Sequence, residues 1–385
     1  MSFWSDLKLT QKPLAGFVLI GIAWACFFAQ MPAIKARIGA SDGTYGAVLL
    51  VASGGALLAM WLAPLAERYL GRWGLPLAGL CVGFGMLGSG LSTGLVGFGL
   101  SMGLAAMGAG VVDVLINVRV SEIETRTGRN LMNLNHGIYS MSYAGAAVFT
   151  GVLREVGWSP LQVFAWFMIL VVILCVRMLP RRTVEVPAPA TSQARSMPGG
   201  LILLSGLVVM LAFLAESSSE GWSALHLERT LGGGPAEGAL GPAILGLTMG
   251  IGRLSGHFVG HIWPEDRMMR FACLLSVIGL VLVASATGLW MAYAGFALAG
   301  LGLSVVAPLA LASLGRTVPP EVRLVAITRA SVLGYGAFFI GPPLMGLTAE
   351  LFGLRMGFAV IAALMLLTVV LILPALDRAL LKWAN

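Results

Sequence analysis

Apolar residues run along this chain in blocks of about twenty, the length that crosses a bilayer's hydrocarbon as a helix. Short polar clusters separate the blocks, as where the run from Leu14 to Ile34 gives way to Lys35 and Arg37. In lipid, only a helix or a closed barrel satisfies every backbone N–H and C=O without water. A barrel would show alternating segments of about ten residues, and this chain lacks them. The pattern predicts helices near 14–35, 44–66, 74–91, 96–120, 131–153 and 160–179, then 199–220, 239–261, 270–286, 289–313, 324–348 and 355–375. The expected fold class is an all-α polytopic membrane protein with twelve transmembrane helices in two pseudo-symmetric six-helix bundles.

One stretch, "PRRTVEVPAPATSQARSMPGG" (180–200), is rich in proline and arginine and reads as a linker. It divides the chain into an N-terminal bundle (1–180), a linker (181–198) and a C-terminal bundle (199–385). A weak internal echo accompanies the division. "LAPLAERYLGRW" (62–73) ends the second helix, and "GRLSGHFVGHIW" (252–263) ends the eighth, its positional equivalent.

Composition agrees with the pattern: 58% of the 385 residues are hydrophobic and 11% charged, against roughly 25% charged in soluble domains. Basic residues favour the cytoplasmic side of a membrane. With the N-terminus inside, only Lys35, Arg37, Arg154, Arg229 and Arg355 fall outside, among 24 Lys and Arg. Both termini are therefore expected in the cytoplasm. The net charge of +7 is explained by this bias, with anionic lipid headgroups rather than nucleic acid as its partner. Cys26, Cys81, Cys175 and Cys273 each lie alone inside a span and read as packing residues, and no metal or cofactor site is expected.

The arrangement of six and six spans, with an echoed motif after the second and eighth, resembles the major facilitator superfamily. The motif after the second span is degraded, with Ala63 for a glycine, Glu67 for an aspartate, then Arg68 and one extra residue before Gly71. After the eighth, Gly252, Arg253 and Gly256 fit, while His257 takes the acidic place. The stretches "DVLINVRVSEIETRTGRNLMNLNHGIYSMSYAGA" (113–146), "FLAESSSEGWSALHL" (213–227) and "LGYGAFFIGPPLMG" (333–346) resemble the bacterial YbjJ/MosC-like permeases. The resemblance implies a bacterial inner-membrane transporter in which the fifth span faces the eighth and the second faces the eleventh. Glu67, Arg68, Arg253, His257 and Arg329 become candidates for a cytoplasmic gate. Glu216 and Trp222 match the subgroup's acidic and aromatic places.

A charged side chain near the bilayer centre costs at least about 2.5–3.5 kcal/mol, so each should border a cavity or a partner. Asp113 and His136 each lie roughly 7–10 Å from the shared loop if the fourth helix ends near residue 120, so they are expected to reach each other. Histidine titrates near neutrality, which suits proton transfer; a buried strut joining two helices is the bland alternative for His136. Asp113, His136 and Glu216 are the proton-coupling candidates. Trp24, Gln30, Asn117, Asn133, Tyr139 and Trp222 are candidates for substrate contact. In the fourth span, Gly103, Ala106 and Gly110 form a small-residue stripe that reads as helix packing. Gly341, Pro342, Pro343 and Gly346 predict a bend in the eleventh helix.

No phosphate-binding loop or catalytic constellation accompanies these groups, so enzyme chemistry is not expected. The function expected is secondary transport of a small polar metabolite, sugar-, polyol- or amino-sugar-like, by a proton-coupled monomer. The alternatives are a metabolite or drug exporter, or a non-transporting receptor or lipid scramblase on the same fold.

Overall fold

The computed structural model describes residues 3–129, 131–179, 199–259 and 264–384, apart from the side chains of 3, 256–259, 321 and 384. The expected linker at 181–198 and the His257 side chain lie outside the described residues. Six crossings come from α1 (Phe3–Ala29), α3 (Asp42–Leu70), α4 (Gly74–Leu91), α5 (Leu95–Thr127), α6 (Met132–Glu155) and α7 (Pro160–Met178), with the short α2 (Met31–Arg37) after the first. Six more come from α8 (Gly199–Leu225), α9 (Pro235–Val259), α10 (Glu265–Ser285) and α11 (Leu289–Thr317), then α12 and α13 (Pro320–Tyr335, Ala337–Phe352), and α14 and α15 (Leu354–Leu367, Leu373–Ala384). Two five-residue π-helical turns, His226–Thr230 and Thr368–Ile372, follow α8 and α14.

Local chemistry sets several of the helix ends. Ser41 caps α3 by accepting from Thr44 N, and Ser159 with Gln162 forms a reciprocal capping box on α7. Gly128 ends α5 at φ 66, a left-handed conformation that costs a glycine little. Large apolar side chains such as Leu58, Leu100, Val176, Ile278 and Leu371 stand exposed on the outer surface, the inverse of a soluble protein and the surface lipid requires.

Nine stretches qualify as membrane spans by length and hydropathy alone, α3 and α4 counting as one run. Helices α6 and α9 fall short of that criterion because they carry polar residues, Asn133, Asn135 and His136 in one and Arg253 in the other. These two helices pack on each other along their whole length, Gly151 against Ala239 at one end and Gly137 against Leu254 at the other. Gly246 is needed there, since a Cβ would lie 2.5 Å from the Tyr143 ring. Of the polar residues that lower these helices' hydropathy, Asn135 is buried, His136 and Arg253 are half-buried and Asn133 is exposed.

The small-residue stripe of α5 works as packing. A Cβ on Gly110 would sit 2.5 Å from that of Ala59, so α5 and α3 lie in close contact. The break in the eleventh crossing is not where the sequence suggested. It falls at Gly336, between α12 and α13, whereas Pro342 and Pro343 stay inside α13. Pro342 has no N–H for the Phe338 carbonyl one turn back, and Ser53 Oγ of α3 donates to that carbonyl at 2.5 Å. A hydroxyl from the other half replaces the missing donor, and the helix continues to Phe352.

Candidate functional site

The halves are joined at the end of the bundle remote from the termini. Arg154 at the end of α6 binds Glu228 after α8, Nη1–Oε1 2.6 Å and Nη2–Oε2 3.0 Å. Arg229 and Lys35 converge on Asp42 at the start of α3, at 2.5 and 2.9 Å. Glu350 of α13 accepts from Gly43 N at 2.5 Å and Ser41 Oγ at 2.6 Å, capping α3 from across the interface. Glu155 accepts from Ala236 N at 3.1 Å. Beneath these bonds lies an aromatic layer: Trp222 meets Tyr45 edge-on at 5.9 Å, Tyr45 stacks on Phe98, and Trp24 stacks on Phe28.

Toward the termini the pattern reverses. Asp6–Arg129, Glu67–Arg119, Glu265–Arg316 and Arg270–Asp377 are ion pairs, and each joins residues of one half. Helices α5 and α11 take their packing from their own halves. Helix α3 packs on α13, whereas α12, the part of that crossing nearer the termini, packs on α8 and α11. Among the described residues, ion pairs bridge the space between the halves at one end, while α6 and α9 stay packed together toward the end carrying the termini.

Polar groups from both halves border this space. Asp113 and Asn117 come from α5, His136 and Tyr139 from α6, Glu216 and Glu220 from α8, and Arg253 from α9; all are half-buried. Arg253 Nη2 lies 3.3 Å from Glu216 Oε1. Tyr139 is near enough to Glu216, Glu220, Arg253 and Asp113 to feel all four charges, and Tyr335 on α12 faces Asp113. The groups thus lie close to one another between the halves.

Several expectations need correction. Among the described residues no hydrogen bond or ion pair joins Asp113 and His136: Asn117 Nδ2 donates to Asp113 Oδ1 at 3.0 Å, and the His136 ring meets Phe17 edge-on at 4.9 Å. The reason is depth. Helix α5 runs on to Thr127, and Glu124 accepts from Leu131 N and Met132 N, fixing the start of α6 level with itself. From that level, Asp113 lies about 16 Å along α5 but His136 only about 7 Å along α6. Arg253, a gate candidate, engages Glu216 within its own half.

The gate residues near the termini are likewise used within one half. Glu67 is buried and bound by Arg119 Nη2 at 3.0 and 3.2 Å, and Arg68 lies over the Tyr69 ring. Arg329 is exposed on α12. Of the substrate-contact candidates, Asn117 and Tyr139 border the space between the halves, and Asn133 is exposed near the terminal end of α6. Trp24 and Trp222 belong to the aromatic layer at the joined end. Gln30 is fully buried, its Nε2 donating to Cys26 O at 3.1 Å.

Sequence reasoning missed the closed end. Its signal was present: Lys35, Arg154 and Arg229, three of the cations that defy the charge bias, are the ones that bind acidic partners there. Arg37 and Arg355, the other two, donate to the Ser92 and Ala284 carbonyls.

Two six-helix halves with apolar outer surfaces and polar groups between them define an all-α polytopic membrane protein. Residues 205–382 match the Major Facilitator Superfamily. The chain is 29% identical over 368 residues to an uncharacterized MFS-type transporter of Yersinia pestis, covering 94% of each chain. It is 26% identical over 356 residues to the membrane protein MosC of Rhizobium meliloti, covering 90% of this chain and 85% of that one. Among solved structures, a D-xylose-proton symporter superposes with a TM-score of 0.77 at 13% identity, covering 96% of this chain and 97% of that one.

Proposed function

We propose that the protein carries a small polar solute, sugar-, polyol- or amino-sugar-like, across the bacterial inner membrane by alternating access, coupled to protons. Both termini lie in the cytoplasm, following the charge bias. One observation carries the reading: the half-buried charged groups Asp113, Glu216, Glu220 and Arg253 lie between two halves whose ion pairs with each other, among the described residues, gather at one end. Charged groups are costly in a bilayer and are kept where they border water, a partner or a cargo. Moving the bonds from one end to the other would expose the same groups to the opposite side. Asp113, whose side-chain partner among the described residues is a neutral amide, is the first choice for proton coupling.

Purified protein in proteoliposomes should support counterflow of a labelled solute from this class and acidify or alkalinise the lumen as it does so. Absence of protein-dependent flux for sugars, polyols, amino sugars and small acids alike would refute the reading. Flux without proton movement would remove the coupling and leave the transport.

A further inference from the structure

The charges between the halves do not balance. Three carboxylates, Asp113, Glu216 and Glu220, face one guanidinium, Arg253, which reaches only Glu216 and through a single nitrogen. Glu220 lies one turn beyond Glu216 on α8, and among the described residues no basic side chain pairs with it. Its neighbours are the Tyr143 and Tyr139 hydroxyls.

Tyr143 supplies an independent pointer. Its side chain is 1% exposed, its hydroxyl has no hydrogen-bond partner in good geometry, and it is directed at Glu220 with Glu216 beyond. A buried hydroxyl left without a partner is costly, and evolution keeps such a group where something else completes it. The Tyr139 and Tyr143 rings lie 6.2 Å apart, offering aromatic faces beside the two glutamates. Carboxylates, aromatic faces and a hydroxyl acceptor suit a protonated amine, which brings donors and positive charge together. A carboxylate on the cargo would meet repulsion, and a hydroxyl would bring no charge.

We propose that Glu216, Glu220, Tyr139 and Tyr143 form a subsite for the protonated amine of the cargo, so that the solute carried is a hydrophilic amine. This rests on the transporter reading and narrows it. Glu220 would take the ammonium directly, and Tyr143 would accept one of its hydrogens. Arg253 would hold Glu216 in place and keep a second, competing cation out.

The test uses full-length protein and solutes differing in one group: D-glucosamine, D-glucose and D-glucuronate; 2-amino-1,3-propanediol, glycerol and glycerate; putrescine and 1,4-butanediol. Thermal shift reads binding and counterflow reads transport. The amine member of at least one set should bind best, and Glu220→Gln should reduce its advantage by about tenfold or more while the unliganded melting midpoint stays near that of the parent. If Glu220→Gln does not fold, Tyr143→Phe, which removes only a hydroxyl, should weaken the amine by about threefold and the neutral member less. A hydroxyl or carboxylate member that outcompetes its amine in every set that binds, or an undiminished amine preference in the variant, would overturn the subsite and leave the transporter reading standing. No binding and no exchange by any member would overturn both.

Discussion

Arg154 and Glu228 form a two-pronged bridge between the halves, closed at 2.6 and 3.0 Å, with the Arg154 guanidinium also donating to the Ala29 carbonyl. Arg154 is 6% exposed and Glu228 17%, so the pair is largely out of water. Removing one partner of such a pair costs about 3–5 kcal/mol, some of which returns once the groups reach water. Glu228→Gln should therefore shift the balance between closed and open forms by about tenfold or more toward opening at the end remote from the termini. Spin labels at Thr93 and Thr287, one on each half's exposed loop at that end, would report it as a longer, broader distance distribution. An unchanged distribution would show that the bridge does not hold the halves together.

Ser53 and Pro342 make a separable pair. Ser53→Ala leaves the Phe338 carbonyl without a donor and should lower stability by about 1 kcal/mol, read as a drop in melting midpoint. Pro342→Ala restores the N–H within α13, so adding Ser53→Ala to it should cost little further. Additive losses in the double variant would mean that the hydroxyl and the missing N–H are unrelated.

Glu67 and Arg119 test the interior of the N-terminal half. Either single neutralisation, Glu67→Gln or Arg119→Met, leaves the other charge buried and should destabilise by about 3–5 kcal/mol, whereas Glu67→Leu with Arg119→Met should recover much of the loss. Melting of the purified variants in detergent would decide. A double variant as weak as the worse single would show that the pair is needed as a pair.

For the proposed proton coupling, Asp113→Asn is the sharpest substitution, because it keeps the Asn117 contact geometry while removing the titrating group. Counterflow should persist, and uphill uptake driven by a proton gradient should be lost. Unchanged uptake from pH 5.5 to 8 would take Asp113 out of the coupling path.

The crossings could be read from the chain because lipid imposes one rule on every block of twenty residues, while their pairing across the halves was implied by the family resemblance. Depth could not. Helix α5 extends two turns past the expected end, since Arg119, Ser121 and Glu122 look like a loop until Glu67 is found to pair with Arg119 and Gly128 to stop the helix. That shift alone separates Asp113 from His136. The bend near Pro342 was misplaced for a related reason: a proline's cost depends on whether a neighbour supplies the lost donor, and Ser53 stands 289 positions earlier in the chain. Glu216, Asn117 and Tyr139 were recognisable because a polar group in an apolar block has few places to go.

The cations at the closed end carry a further consequence under the proposed orientation. During insertion, before any helix has found its neighbour, lysine and arginine in short loops bias which way each segment threads, while acids contribute little. Arg154, Arg229 and Lys35 must thus be few enough to be outvoted by the cytoplasmic majority, yet enough to fasten the two halves once assembled. An engineer wishing to tighten that fastening should add aspartates or glutamates opposite them, since further arginines would work against the threading of the chain itself.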